Sequence, residues 1–306
     1  FMSKNLSELS GRKGLTDNLF EKLGTMAKGN GSPGVKEMEQ LAEAFLVGKA
    51  NVYGSATFYD FTRPENQGKK VYVCNGSACM CAGTQAVVEQ KLKETFAEEE
   101  IGVMCCLGRC HENSAFHYQG NNYSGDDIKN IKTILDKPER RIEDYHVEAI
   151  GTPVLTEVFP GLDAFYAPLK SWLGSDSASL LEEIRTSNIR GRGGAGFPMA
   201  IKLETCRNQD SKTKFIVCNA DEGDPGAYSD RYLLEQRPHS VLLGMIMAGY
   251  VTGASWGVLY IRAEYPEAID IVEKELEKLY AAGLVGENIL GTKFSFDFKV
   301  IHAQGA

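Results

Sequence analysis

The sequence predicts two consecutive α/β units, residues 1–137 and 164–306, joined by a linker over 138–163. Three observations carry this. Strand-like apolar runs alternate with helix-periodic segments in both halves, the pattern of a layered α/β architecture with a mainly parallel sheet in the second half. The stretch from Pro138 to Asp163 opens on a run of charges and continues with Gly and Pro punctuation and little periodicity, as a linker does. A length of 306 residues gives room for about two domains of ~150 residues each.

Residues 1–50 read as short helices with a Gly-rich break at 28–34, and 35–45 spaces Val35, Met38, Leu41, Ala42 and Phe45 helically. "KKVYVCNG" (69–76) is a strand running into a cysteine-bearing loop, and "IGVMCC" (101–106) is a second strand ending on cysteines. Between them 84–97 is helical, with Val87, Val88, Leu92 and Phe96 on one side. Residues 115–124 form a hairpin with Gly120, Asn121 and Asn122 as turn residues, and 125–137 a helix carrying Ile128, Ile131, Ile134 and Leu135. This order puts both cysteine loops at the same ends of strands. The second unit begins with helices at 164–173 and 177–187, the loop "NIRGRGGAGFP" and a helix from Pro198. A strand at 214–220, a helix over 230–252, a strand at 256–262, a helix at 267–282 and a strand at 296–303 complete it.

Composition narrows the function classes. Net charge is −8 and the basic residues are dispersed, so no basic stripe exists for nucleic acid. No apolar run approaches the ~20 residues that span a bilayer, so direct membrane insertion is not expected. The first residues lack an apolar core, so no signal peptide is expected there, and Phe1 ahead of Met2 reads as a gene-fragment remnant. Eight cysteines without a secretion signal point to a reducing compartment, the cytoplasm, and to metal ligation or catalysis over disulfides.

Six cysteines fall between residues 74 and 110, whereas Cys206 and Cys218 are scattered. Cys74-x4-Cys79 and Cys106-x3-Cys110 can supply four thiolates from two loops, the donor set of an iron–sulfur cluster. Gly76, Gly83 and Gly108 let the backbone curl around sulfide that takes N–H donors. Zinc also takes four thiolates, but its knuckles use C-x2-C pairs, and no C-x-x-C occurs here. The same absence counts against a thioredoxin-type disulfide exchanger. Burial as small apolar side chains accounts for Cys206 and Cys218 but not for six cysteines in two loops. Cys105 alternates in orientation with Cys106 along its strand, so Cys81 and Cys105 are the expected non-ligands. "VCNGSAC" followed by "CLGRCHENSAF", with "VYGSATFYDFT" upstream, resembles the thioredoxin-like [2Fe–2S] ferredoxin family over about residues 35–136. The resemblance implies that fold and assigns the cluster to Cys74, Cys79, Cys106 and Cys110.

"GRGGAGFP" fits G-x-G-x-x-G at Gly191, Gly193 and Gly196, but it follows a helical segment, where a dinucleotide fingerprint follows a strand. It still has the makings of a phosphate loop. Its glycines, Gly194 included, free backbone amides; Arg192 adds positive charge; a helix starts at Pro198; and Lys202 lies one turn inside it. A plain Gly-rich surface loop is the alternative. "CNADEGDPGAYSDRY" (218–232) brings Asn219, Asp221, Glu222 and Asp224 to a strand end, where α/β sheets bind ligands. Carboxylates repel phosphate and suit ribose hydroxyls or a heterocycle's N–H edge; a capped, solvated loop is the alternative.

Together these two stretches, with "PHSVLLGMIMAGYVTGA", "LYIRAEYP" and "GTKFSFDFKV", resemble the flavin subunit of complex I and its relatives in soluble hydrogenases and formate dehydrogenases, over about 170–306. The resemblance implies a Rossmann-like FMN-binding fold, with FMN contacts at Gly191, Gly193, Lys202, Asn219, Asp221 and Glu222. It sets Phe197 to stack on the nicotinamide nucleotide and Asp224 at an acidic position facing it, Glu in the respiratory enzyme. Met199 and Ala200 replace a common Thr-Gly. The family continues past residue 306 into a second FMN-contacting segment and a [4Fe–4S] domain, so this sequence is expected to be the front portion of a longer protein. The function implied is electron input: hydride exchange between NAD(P)H and FMN with single electrons passed to iron–sulfur centres, beside other iron–sulfur subunits of a hydrogenase, formate dehydrogenase or complex I-like assembly. A non-catalytic [2Fe–2S] electron-transfer or scaffold module is the alternative.

Overall fold

A computed structural model of the chain describes residues 18–30, 33–141, 145 and 147–303. The helices expected before residue 18, part of the break at 28–34, part of the charged opening of the linker and the last three residues lie outside it. Three helices lead: α1 (Leu19–Asn30), α2 (Val35–Phe45) and α3 (Lys49–Phe58). The stripe Met38, Leu41, Ala42 and Phe45 of α2 closes on Leu23, Val52 and Ala56. Leu23 and Val52 are fully buried, worth about 1.5–3 kcal/mol each.

The first sheet has the order β2 (Ile101–Met104), β1 (Val71–Cys74), β3 (Phe116–Tyr118), β4 (Asn121–Tyr123). Strands β1 and β2 are parallel, with Cys74 opposite Met104, so the segments after both strands leave the same edge side by side. Short helices α4 (Ser77–Ala82) and α5 (Gln85–Leu92) follow β1, and α6 (Ile131–Asp136) follows β4. Val71, Val73, Val88, Leu92, Phe116, Tyr123 and Ile131 form the core under this sheet. Three expectations change. Helix α5 stops at Leu92 and leaves Val87 exposed. Strand β2 ends at Met104, before the cysteines. The hairpin turns on Gln119 and Gly120, both at positive φ as a two-residue turn of this type requires, which moves Asn121 and Asn122 into β4.

In the second sheet β5 (Phe215–Ala220), β6 (Trp256–Ile261) and β7 (Asp297–His302) are all parallel. Helices α7 (Leu162–Leu173), α8 (Ser177–Thr186) and α9 (Met199–Arg207) precede it; α10 (Ser229–Gln236), α11 (Pro238–Thr252) and α12 (Pro266–Ala281) are interleaved with its strands. The expected helix over 230–252 is two helices, because Arg237 departs from helical geometry and Pro238 opens a new first turn. Alternate residues Ile216, Cys218 and Ala220 of β5 face the core, while Phe215 and Val217 are exposed on the other face. Further along that face α1 packs: Phe20 meets the Tyr260 ring edge-on and Glu21 pairs with Lys299. Between α6 and α7 the described residues form neither helix nor strand; Phe159 there stacks on His239 at 4.4 Å, and Arg237 donates to the Leu155 carbonyl at 3.0 Å. No helix among the described residues is long and apolar enough to cross a membrane.

Candidate cluster and cofactor site

The parallel pairing of β1 and β2 brings two thiol pairs to one place. Cys74 ends β1 and Cys79 lies on α4; Cys106 and Cys110 bracket the loop after β2. Cys74, Cys79 and Cys106 are buried and Cys110 half-buried, all four as free thiols. Cys106 Sγ and Cys110 Sγ lie 3.2 Å apart, and Cys74 and Cys79 are likewise hydrogen-bonded. A Cβ on Gly76 would reach within 3.0 Å of the Cys106 Cα, so the loops touch where a side chain would hold them apart. Cys81 is exposed, and the backbone N–H of Cys105 is held by the buried carboxylate of Asp60 at 2.6 Å.

Backbone amides converge on the sulfurs. Gly76 N–H donates to Cys74 Sγ and Gly108 N–H to Cys106 Sγ, each at 3.4 Å. Amides of Leu107, Ala115 and Gly226 act on Cys74, Cys79 and Cys110 in the same sense. Each pair shares its protons. The hydrogen bond from Cys106, with help from the Gly226 amide and the Tyr228 hydroxyl, lowers Cys110 to about 6, and that from Cys74 lowers Cys79 to about 7. Cys74 and Cys106 are raised correspondingly, by those same partners and by burial. Among the described residues no three His, Cys, Asp or Glu side chains converge on one ion; the thiols stand as two pairs. Two thiolates to each of two irons, with N–H donors around the sulfur, is the donor set a [2Fe–2S] cluster takes.

One wall of this site comes from the second unit. Arg262, at the end of β6, is fully buried; it donates to the Cys106 carbonyl at 2.7 Å and to the Glu222 carbonyl, and pairs with buried Glu264 at 3.1 Å. Arg231 of α10 donates to the Gly108 carbonyl at 2.9 Å and pairs with Glu235 at 2.8 Å. Arg109 reaches back from the loop to Glu267 at 3.0 Å. Asn122 donates to the Glu264 carbonyl at 2.8 Å. The Cys106–Cys110 loop is therefore seated on the segments after β5 and β6.

The glycine loop is closed at its base, with Gly191 N–H donating to the Phe197 carbonyl and Met199 N–H to that of Ile189, both at 2.9 Å. Arg192, Gly193 and Gly194 are exposed, Phe197 is half exposed, and Gly194 and Gly196 take positive φ. Lys202 is exposed on the first turn of α9. Lys214 Nζ bonds the Arg207 carbonyl at 2.6 Å, so α9 ends where β5 begins; residues 219–224 lie at and after the far end of β5. Asn219 and Asp224 are exposed there. Asp221 is half-buried, burial raises its carboxyl, and its Oδ1 has no hydrogen-bond partner, an acceptor free for a ligand's hydroxyl or N–H. Glu222 is placed differently. Its carboxylate accepts from Ser229 Oγ at 2.9 Å, from the Asp230 and Arg231 amides and from Tyr265, so it caps α10 and braces the interface.

Residues 16–139 match the model of the thioredoxin-like [2Fe-2S] ferredoxin family, and residues 184–306 that of the Nuo51 FMN-binding domain. The chain thus joins a match to the [2Fe–2S] ferredoxin family to a match to the FMN-binding domain. Its relatives include the NADP-reducing hydrogenase subunit HndC of Solidesulfovibrio fructosivorans, 44% identical over 141 residues, 46% of this chain and 29% of that protein. The NAD-reducing hydrogenase HoxS subunit alpha of Cupriavidus necator is 30% identical over 299 residues, 88% of this chain and 49% of that protein. The mitochondrial NADH dehydrogenase (ubiquinone) flavoprotein 1 of Dictyostelium discoideum is 39% identical over 129 residues, 42% of this chain and 27% of that protein. The chain thus spans half or less of the relatives it matches. The fold is similar to that of a solved NAD+-reducing [NiFe]-hydrogenase, with TM-score 0.68 at 21% identity, over 99% of this chain and 53% of the other.

The arginines that seat the ferredoxin domain on the FMN-binding domain lie inside the quoted motifs, yet the motifs assign them no role. Arg262 had one signal: a charged residue closing the apolar strand "WGVLYIR", where burial of that charge demands a partner.

Proposed function

We propose that this chain is the electron-input portion of an NAD(P)H-linked oxidoreductase, the class that couples hydride exchange between NAD(P)H and FMN to single-electron transfer into iron–sulfur clusters. One observation carries the proposal. The loop bearing Cys106 and Cys110 is bonded through Arg262 to the Glu222 carbonyl, so a ligand set for a one-electron centre abuts the segment suited to a flavin. When bound, FMN supplies the conversion between two-electron and one-electron chemistry. The chain's own residues bind and orient. The amides of Gly193 and Gly194 with Arg192 and Lys202 offer a cationic phosphate cradle closed at its base by Gly191, Asn219 accepts and donates and Asp221 accepts at hydroxyl or ring edges, and Phe197 and Asp224 face the nicotinamide nucleotide. Cys74, Cys79, Cys106 and Cys110 hold the cluster. No side chain is asked to act as a general base. Further iron–sulfur subunits of a hydrogenase, formate dehydrogenase or complex I-like assembly are the proposed partners, with any [4Fe–4S] cluster outside this sequence. Eight free cysteines fit the reducing cytoplasm.

The exposure of Arg192, Gly193, Gly194, Lys202, Asn219 and Asp224 favours a second reading for this chain alone, a [2Fe–2S] electron-transfer module whose FMN-binding domain is a support. Anaerobic purification with added FMN, gel filtration and heat release of flavin separates them. FMN co-eluting with iron-bearing protein supports the first proposal, iron without flavin the second, and neither cofactor contradicts both.

A further inference from the structure

An arginine cannot shed its charge inside a protein, so a buried one fixes a positive field on whatever it touches. Arg262 is fully buried, belongs to the FMN-binding domain, and meets the ferredoxin domain at the carbonyl of a candidate ligand, Cys106. Its counter-charge, Glu264, bonds it from within its own segment, so the guanidinium is what faces the cysteine loop. Arg231 repeats the arrangement two residues on, donating to the Gly108 carbonyl with Glu235 behind it. Screening by water is weak at such depth.

We propose that Arg262 is a positioning residue that raises the reduction potential of the [2Fe–2S] cluster, so that the FMN-binding domain sets the potential of a centre it does not ligate. The inference rests on the cluster assignment above. Reduction adds one electron, and hence one negative charge, to the cluster and its thiolates, with no bond made or broken. A positive charge beside a ligand carbonyl favours that state. Seating the two domains and tuning the cluster are then performed by one side chain.

The test is an EPR-monitored dithionite titration of the whole chain carrying its cluster. Arg262→Gln keeps an amide donor for the Cys106 carbonyl and removes the charge. It is expected to lower the ratio of reduced to oxidised cluster about tenfold at a given potential, a midpoint lower by about 59 mV for one electron. Arg262→Lys, which keeps the charge, is expected to hold the midpoint near wild type. An unchanged midpoint in Arg262→Gln with the EPR signal intact overturns the inference, as does an equal drop in both variants, which would make geometry the cause. If Arg262→Gln assembles no cluster, Arg231→Gln is expected to lower the midpoint in the same direction, and no change there overturns the inference. Absence of any [2Fe–2S] signal in the wild-type chain contradicts the cluster assignment instead.

Discussion

Gly108 shows how little freedom the site leaves a single residue. It takes φ +70 between two cysteines, and a Cβ there would lie 2.5 Å from the Tyr265 ring. Gly108→Ala is expected to destabilise by about 2–5 kcal/mol, from left-handed strain and overpacking against the other domain. A urea midpoint equal to wild type would contradict that packing. The cysteines divide as sharply. Cys106→Ser is expected to abolish the visible absorption of the reconstituted cluster, whereas Cys105→Ser, whose N–H and not its thiol is held by Asp60, leaves the spectrum in place. The gathering of the thiols was legible in the sequence because ligand spacing is local, but strand alternation does not separate Cys105 from Cys106, since β2 ends at Met104. The capping role of Glu222 was not legible: only the fold shows its carboxylate capping a helix that starts at Ser229, and its expected FMN contact stays a proposal.

Elements were legible where one periodicity ran uninterrupted. Helix α2 occupies the expected span 35–45 because Met38, Leu41, Ala42 and Phe45 keep one buried stripe, with Val35 of the expected set exposed at its start, and Leu46, at φ 55, ends it. The break between α10 and α11 escaped a reading by apolar content, although Pro238 marks it. Helix α11 also crosses the sheet closely at Gly249, where a Cβ would overlap the Phe296 ring. Alanine in a helix interior is ordinarily favoured over glycine by ~0.8–1 kcal/mol, whereas overpacking costs about 1–3 kcal/mol. Gly249→Ala is therefore expected to lower the thermal midpoint, and a raised midpoint would show that the helix can move off the sheet.

At the scale of the whole molecule, the contacts that decide the assembly join residues far apart in sequence, as Arg262 joins Cys106 and Asn122 joins Glu264. No local pattern announces them, which is why two units were legible and their docking was not. The segment between the units is anchored by Phe159 on His239, whose ring also bonds Tyr166 at 3.2 Å and Glu275 at 3.1 Å. Burial holds His239 below its ordinary value, against the pull of Glu275. Below about pH 6.5 the unfolded chain takes up a proton that the folded chain binds more weakly, so stability is full above that pH and falls beneath it. His239→Leu is expected to shrink the difference in urea midpoint between about pH 7.5 and pH 5.5, and an undiminished difference would place the titration elsewhere.

Two loops of one sheet edge are proposed to present a two-iron site to the FMN-binding domain. Its most direct test is iron and sulfide analysis with EPR of the dithionite-reduced chain after anaerobic purification. About two irons and two sulfides per chain are expected, with one rhombic signal from a single unpaired electron that is lost in Cys106→Ser. A colourless protein holding zinc, with no such signal, would contradict it.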